Sequence, residues 1–266
     1  MPSISSSKCI LVTGATSGIG RALAIALAAL PSRPQVIAAG RRQSRLDELA
    51  DSDLETVQVN LDTDAKGLKA FTDSVLRKYS NLDTIILCAG VQHEFEFKEK
   101  VDLSNIASEI NVNYTSTVSL IALFLPHLLK FAAEGRPCLI IPVTSGLAIA
   151  PAPQVPNYSA SKAALHSFCT SLQVQLQGTN VHVLEIIPPK MFIGLITTSV
   201  LPAYGKTEKL SKFWMPLEEY TKVTLEALKN GDTYITTGSA SDAFKRFDTG
   251  KLELADNFYR MGKKQF

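Results

Sequence analysis

The chain has 266 residues, of which 45% are hydrophobic and 20% are charged, and its formal net charge is +2. This composition is typical of one large globular α/β domain with a substantial buried core, here expected to span residues 1–266. So weak a charge argues against nucleic acid or a membrane surface as a partner, because both usually require a concentrated basic face. No apolar run reaches the roughly eighteen residues of a transmembrane helix.

The cysteines and histidines indicate neither a metal site nor a disulfide framework. The four cysteines lie far apart, and no spacing among them and the four histidines is that of zinc ligands. The residues before Cys9 also lack the apolar segment of a secretory signal. We therefore expect free thiols, no metal and a cytoplasmic location.

Short apolar runs alternate with longer amphipathic segments along the chain. Strands are predicted at residues 9–13, 35–39, 56–60, 84–87, 138–143, 181–187 and 234–236. Helices are predicted at residues 19–29, 65–78, 106–133, 158–176 and 217–229, where apolar positions recur about every 3.6 residues. This alternation predicts a three-layer α/β/α Rossmann-type fold with a doubly wound parallel sheet. Residues 189–215 lack periodicity and are expected to form a substrate lid, and the residues after Gly238 are amphipathic but ambiguous.

A glycine-rich turn follows the first predicted strand and opens the first predicted helix. Glycines let the backbone turn tightly and approach a pyrophosphate, which then meets free N–H groups at the positive end of a helix. Many strand-to-helix turns contain glycines for backbone reasons alone, but the strand, Thr13 and the helix together favour a dinucleotide site. The residues expected to hold the phosphates are Gly14, Thr16, Ser17, Gly18, Ile19 and Gly20.

Two arginines, Arg41 and Arg42, follow the second predicted strand. At this place a carboxylate would bind the ribose 2′-hydroxyl of NAD, whereas an arginine accepts the 2′-phosphate of NADP. A guanidinium group offers paired donors to phosphate oxygens. NADP(H) is therefore the predicted cofactor, and the alternative is that both arginines are merely solvated at a strand end.

Tyr158 and Lys162 open the fourth predicted helix and lie one turn apart on the same face. A phenol has a reference pKa of about 10, and a neighbouring ammonium group favours the phenolate and makes proton transfer useful near neutrality. Ser145 precedes Tyr158 by thirteen residues and follows an apolar predicted strand. The carboxyl ends of such strands carry the ligand sites of open α/β sheets, so its hydroxyl could donate to a substrate oxygen that gains negative charge.

These motifs resemble those of the classical short-chain dehydrogenase/reductase family over nearly the whole chain. The shared pattern is Thr-Gly-x-x-x-Gly-x-Gly, a serine thirteen residues before a tyrosine, and Tyr-x-x-x-Lys. The resemblance implies a sheet of about seven strands and a catalytic set of Ser145, Tyr158, Lys162 and an asparagine that holds a proton-relaying water. It also implies that the lysine binds the nicotinamide ribose. Asn113 matches the family's Asn, apolar residue, Thr pattern better than Asn111 does.

The resemblance also implies cofactor contacts outside the glycine turn. Asn60 and Leu61 stand where the family usually has Asp-Val beside the adenine, and asparagine can still hydrogen-bond there. Ala89 and Gly90 retain half of the family's Asn-Asn-Ala-Gly turn, but its two asparagines are Leu and Cys in this chain. Weaker contacts on the adenosine side are therefore expected.

The segment that begins at Pro188 resembles the family's loop beside the nicotinamide. Ile193 occupies the position where a threonine often grips the carboxamide. Thr197 or Thr198 would take this role if the loop is shifted. This contact is the one where the chain departs most from the family.

The predicted function is NADPH-dependent reduction of a ketone, aldehyde or diketone to an alcohol, or the reverse, with Tyr158 as proton donor. A fairly apolar substrate is expected, because aromatic and methionine side chains cluster around the predicted lid. His93 either borders the substrate mouth or is a solvated loop residue. The alternative functions are a non-catalytic NADP(H)-binding regulator and a related lyase or epimerase. The resemblance further suggests a homodimer or homotetramer.

Overall fold

A computed structural model describes residues 2–52, 54–189 and 215–263. Its strands are β1 Cys9–Thr13, β2 Gln35–Gly40, β3 Glu55–Gln58, β4 Thr84–Leu87, β5 Cys138–Pro142, β6 Val181–Val183, β7 Glu185–Ile187 and β8 Tyr234–Thr236. Six of them form a parallel sheet in the order β3-β2-β1-β4-β5-β6, and β7 pairs in parallel with β8. The predicted doubly wound parallel sheet is confirmed.

The segment predicted as one strand at residues 181–187 is divided at Leu184 into β6 and β7. The Leu184 N–H still donates to the Ile140 carbonyl at 3.0 Å, and Val143 forms a parallel bridge with Ile186. The β7-β8 pair therefore continues the main sheet beyond β5. Counted as one broken strand, β6 and β7 complete a seven-strand order.

The helices are α1 Gly18–Ala28, α2 Gln43–Ala50, α3 Ala65–Lys78, α4 Leu103–Ile110, α5 Ser116–Ala133, α6 Pro156–Gln175, α7 Leu217–Asn230, α8 Gly238–Phe247 and α9 Lys251–Lys263. The sequence predicts no helix at α2, where Leu46 and Leu49 are the two buried residues of eight. The ambiguous segment after Gly238 forms α8 and α9. Most of the predicted lid, with Ile193, lies outside the described residues.

Helices cover both faces of the sheet and bury two apolar layers. Neighbouring β1 residues point to opposite faces, as the pleat requires. Ile10 packs in one layer with Leu23 of α1 and Tyr220 of α7, whereas Leu11 packs in the other with Phe124 of α5. Each face of the sheet is thus closed by its own set of helices, which leaves the strand ends as the places for a site.

The predicted helix 106–133 begins earlier, at Leu103, and contains one π-helical turn at Asn111–Thr115. The run Leu103–Ala133 has 31 residues and contains an 18-residue window with a mean hydropathy of 1.5, so length and composition alone would let it cross a bilayer. Its apolar side chains Leu120, Phe124 and Leu128 are fully buried against the sheet. This burial is the pattern of a core helix, and the π turn places Asn113 at the carboxyl ends of the strands.

Candidate active site

The first turns of α6 carry Tyr158 and Lys162 against the carboxyl end of β5. Lys162 is 4% exposed, and its Nζ donates to the Val143 carbonyl at 2.8 Å. The same Nζ lies 5.8 Å from the centroid of the Tyr158 ring. The lysine thus fixes α6 to the strand end that precedes Ser145, and Tyr158 beside it is half-buried.

The protonation of this pair differs from the sequence expectation that the ammonium group lowers the tyrosine pKa. Burial raises the pKa of Tyr158 to about 12; a hydrogen bond with the Ser145 side chain opposes this rise, and Cys88 and Glu109 add to it. Burial also lowers the pKa of Lys162 to about 8. Desolvation penalises the charged form of both groups. The phenol is consequently protonated at neutral pH.

Ser145 lies at the start of a 3-10 turn, Gly146–Ala148, that follows β5. Its Oγ accepts a hydrogen bond from the Leu147 N–H at 3.1 Å, and the Gly146 N–H donates to the Pro188 carbonyl at 2.8 Å. The same hydroxyl also meets the Tyr158 hydroxyl, so the two polar groups face one place at the end of β5. The Pro188 carbonyl thus anchors the 3-10 turn through the Gly146 N–H.

Asn113 is fully buried and lies in the π turn. Its Oδ1 accepts from the Val91 N–H at 2.8 Å, and its Nδ2 donates to the Val91 carbonyl at 2.9 Å and to Ser161 Oγ at 3.0 Å. Asn111 instead donates to Asp62 Oδ1 at 2.8 Å, away from this group. Ser161, which sequence reasoning overlooked, joins Asn113 to α6 three residues after Tyr158.

In the glycine turn, the backbone of Gly14 lies close to that of Ala89, and the backbone of Gly20 lies close to that of Gly14. Gly14 has a φ of +68°, and a Cβ there would lie 2.7 Å from the Cα of Ala89. A Cβ at Gly20 would lie 2.5 Å from the Gly14 carbonyl oxygen. Ser17, which precedes α1, makes no side-chain hydrogen bond to the helix, so the first-turn N–H groups of Gly18 and Ile19 keep their capacity to bind an anion.

Arg42 rather than Arg41 is held over the glycine turn. Its Nη2 and Nε donate to Thr16 Oγ1 at 2.8 and 3.1 Å, and Nη2 also donates to Ser17 Oγ. A Cβ at Gly40 would lie 2.5 Å from Thr16 Cγ2, so the strand end before the arginines must remain unsubstituted. Arg41 is exposed.

The remaining predicted cofactor contacts lie in the turns that follow β3 and β4. Asn60 Oδ1 accepts from the Asp62 N–H at 3.1 Å, and Leu61 beside it is buried. Asp62 in turn accepts from Asn111, which ties the turn after β3 to the π turn. A Cβ at Gly90 would lie 3.3 Å from Asn113 Oδ1 and 3.6 Å from Lys162 Nζ, so the turn after β4 borders the catalytic residues.

A buried carboxylate that sequence reasoning overlooked joins three elements of the site. Glu109 is fully buried and accepts from the His93 N–H at 2.8 Å and from Asn157 Nδ2 at 2.6 Å. The His93 ring Nδ1 lies 3.7 Å from the same carboxylate. His93 is therefore packed beside Tyr158's helix rather than freely solvated. Without a motif or a spacing, no sequence signal marks this contact.

An apolar cavity of about 360 Å³ lies between the 3-10 turn and the start of α6. Ser145, Tyr158 and Lys162 are not among its lining residues. It is lined by Leu147, Ala148, Pro151, Ala152, Pro153, Pro156, Ser159, Ala160 and Ala163.

Comparisons with known proteins identify the family of the chain. The family model described as short chain dehydrogenase matches residues 8–201. The chain is 36% identical to the "uncharacterized oxidoreductase DltE" of Bacillus subtilis (strain 168), over 85% of this chain and 86% of that protein. It is 32% identical to "sulfoacetaldehyde reductase 2" of Chromohalobacter salexigens, over 68% of this chain and 72% of that protein.

Solved structures share the fold at lower identity. A short chain dehydrogenase/reductase from Burkholderia phymatum in complex with NAD superposes with a TM-score of 0.76 and 21% identity, covering 96% of each chain. A short chain dehydrogenase from Burkholderia cenocepacia J2315 in complex with NADP gives a TM-score of 0.73 and 21% identity, covering 94% of this chain and 96% of that one.

The buried ammonium group of Lys162 predicts a pH-dependent cost to stability. Its pKa of about 8 in the folded chain lies below the ordinary 10.5, so between these values the unfolded chain binds more protons and the free energy of unfolding rises with pH. Without cofactor, we expect Lys162→Met to have a higher urea midpoint than the wild type at pH 7, and the difference to shrink as the pH rises towards 10.5. Lys69→Met, at an exposed position, is the control. A Lys162→Met protein that is less stable than the wild type at pH 7 would contradict this expectation.

Proposed function

The chain belongs to the short-chain dehydrogenase family of oxidoreductases, and from that premise we propose that it reduces a carbonyl compound with NADPH, or catalyses the reverse reaction. One observation carries the proposal. The Tyr158 hydroxyl meets the Ser145 side chain at the end of β5, and Lys162 Nζ lies 5.8 Å from the centroid of the Tyr158 ring. An acid and a hydrogen-bond donor thus converge where one substrate oxygen can meet them.

The glycine turn fits a dinucleotide. Gly14 and Gly20 stand where any Cβ would collide with backbone, and the N-terminus of α1 keeps N–H groups for a pyrophosphate. Thr16, Ser17 and Arg42 would hold the adenosine side, and Lys162 the nicotinamide ribose. When bound, the cofactor supplies the hydride that the carbonyl carbon receives.

Two hydroxyl groups then act on the carbonyl oxygen. Ser145 donates a hydrogen bond to it, which stabilises the negative charge that develops there. Tyr158 transfers its proton to the same oxygen as general acid. In the oxidation direction, Tyr158 would have to lose that proton first, and its raised pKa keeps the phenolate fraction small at neutral pH.

Lys162 and Asn113 support the proton supply. Lys162 uses one hydrogen for the Val143 carbonyl, so two remain for a ribose hydroxyl and for exchange, and its pKa of about 8 allows exchange near neutrality. Both Nδ2 hydrogens of Asn113 are already used by Val91 and Ser161. Asn113 would therefore accept a hydrogen bond from a relay water at one of its oxygen atoms, and its amide hydrogens would not contact that water.

The surroundings favour a fairly apolar substrate. The cavity beside the 3-10 turn is lined almost wholly by aliphatic and proline side chains. On the loop after β4, the rings of His93, Phe95 and Phe97 follow one another with centroids 6.2 Å apart at each step. A ketone or aldehyde on an apolar or aromatic skeleton suits such walls better than a highly charged compound does.

Replacing Tyr158 by Phe tests the reaction class. The variant should lose about 1,000-fold in NADPH-dependent turnover, since a general acid typically contributes 10²- to 10⁴-fold. NADPH oxidation over a panel of ketones, aldehydes, diketones and quinones measures turnover, and fluorescence titration should show unchanged NADPH affinity. Tyr79→Phe, which loses a hydrogen bond to Glu55 far from the site, is the control. NADPH binding without turnover in the wild type would instead indicate a regulatory protein.

Replacing Arg42 by Ala tests the cofactor preference. Loss of a charge-assisted hydrogen bond to a 2′-phosphate should raise KM for NADPH about 10- to 100-fold and leave KM for NADH almost unchanged. Arg45→Ala removes an exposed arginine that pairs with Glu48 and is the matched control. Equal losses with both cofactors, or a larger effect from Arg41→Ala, would overturn the assignment to Arg42.

A further inference from the structure

A charged cluster lies buried behind the catalytic residues and takes no part in the chemistry above. His166 Nδ1 lies 2.7 Å from Glu185 Oε1, and its Nε2 lies 2.9 Å from Asp248 Oδ2. The side chains of His166, Glu185 and Asp248 are 6%, 0% and 2% exposed. One imidazole ring thus bridges two carboxylates almost out of contact with solvent.

Both ring nitrogens can hydrogen-bond in two ways. An imidazolium donates to both carboxylates, whereas a neutral ring donates to one and accepts from the other carboxyl group in its protonated form, and burial raises the pKa of Glu185. Burial alone would lower the pKa of His166, but the hydrogen bonds and charges of Glu185 and Asp248 outweigh burial and raise it. Other groups that act on this cluster are Lys162 and Cys169 on the same helix, Tyr234 of β8, and Lys251, which pairs with Asp248.

The cluster reaches the catalytic strand end through one side chain. Thr144, which immediately precedes Ser145, donates from Oγ1 to Glu185 Oε1 at 2.6 Å, and its N–H donates to the Ile186 carbonyl at 2.9 Å. Glu185 Oε1 therefore accepts from both Thr144 and His166. The position of the residue before Ser145 therefore depends on the Glu185 side chain, which is itself held by the His166 ring.

The same ring is also tied to Lys162 through the helix. His166 follows Lys162 by one turn of α6, so both lie on the helix face that meets β5 and β7. Lys162 Nζ donates a hydrogen bond to the carbonyl of Val143, which lies two residues before Ser145. The end of β5 is consequently held from α6 at two successive turns.

Asp248 extends the bridge to the C-terminal helices. It follows α8, and α8 packs on the turn behind Ser145 so closely that a Cβ at Gly146 would lie 2.9 Å from the Ala240 Cβ. With Asp248 bound to His166, α8 is held against this turn. Without the bridge, α8 would no longer be held against the 3-10 turn, and Glu185 would no longer be held against Thr144.

We propose that His166 is a positioning residue, which by bridging Glu185 and Asp248 fixes the end of β5 and thereby places the Ser145 hydroxyl and the Lys162 ammonium group. The inference rests on the function proposed above. No hydrogen bond among the described residues links the cluster to Ser145 Oγ, Tyr158 or Lys162 Nζ, so it does not relay protons. Among the described residues, this cluster included, no group of three or more His, Cys, Asp or Glu side chains is arranged so that it could hold a metal ion.

The kinetic test compares His166→Gln with His127→Gln. His127 bonds the Leu82 carbonyl at the opposite end of the sheet and serves as the matched histidine. His166→Gln should lower kcat about 10- to 100-fold with little change in KM for NADPH, because small misplacements of reacting groups cost about this much. The milder substitution Asp248→Asn keeps a hydrogen-bond acceptor but removes the charge. Its kcat should lie between those of His166→Gln and His127→Gln. A kcat for His166→Gln within about twofold of that for His127→Gln would overturn the proposal.

A double-variant cycle separates positioning from a general loss of stability. Thr144→Val removes only the hydroxyl that reaches Glu185. If His166 acts through this path, the losses in kcat of Thr144→Val and His166→Gln should fail to multiply in the double variant, whereas independent losses multiply. Fully multiplicative losses would contradict the path through Glu185.

Amide hydrogen exchange tests whether His166 holds the end of β5, whether or not the proposed reaction occurs. With NADPH present, amides of residues 143–147 should exchange faster in His166→Gln than in the wild type and unchanged in His127→Gln. Equal exchange in all three proteins would overturn the bridge. If the wild type turns over no carbonyl compound, the proposed reaction is wrong, and this measurement alone still upholds or overturns the positioning of the strand end.

Discussion

The hydrogen bond from Lys162 Nζ to the Val143 carbonyl is the contact on which the rest of the site depends. It joins a helix that packs on the sheet to the carboxyl end of a central strand. One turn earlier on that helix stands Tyr158, and two residues further along the strand stands Ser145. Because the contact is buried, the ammonium group is held at a cost to stability, and a pKa of about 8 expresses that cost.

Around this contact, the catalytic group is assembled from elements that are distant in the chain. The π turn supplies Asn113, the turn after β4 supplies the backbone of Val91, and Ser161 connects them to α6. Parallel strands bring their carboxyl ends to one edge, where the glycine turn after β1 also lies. The geometry therefore unites a phosphate cradle and an acid on one side of the sheet, which an antiparallel arrangement would not do.

The sequence predicts the sheet well, because buried parallel strands are short apolar runs between amphipathic helices. It misses α2, in which few residues are buried, and the break at Leu184, which depends on pairing with β8. The motif residues can be listed from spacing alone, but not their partners. That Arg42 rather than Arg41 meets Thr16, and that burial raises the Tyr158 pKa, follow from packing that no local pattern encodes.

The fate of the hydrogen carried by the cofactor tests the central claim most directly. With NADPH that carries deuterium at both C4 positions and a carbonyl substrate from the panel, mass spectrometry and NMR of the product show where the label goes. The account predicts one deuterium on the carbinol carbon of the alcohol. Alcohol that carries no deuterium, or NADPH consumed without any alcohol, would contradict hydride transfer at the site formed by Tyr158, Ser145 and Lys162.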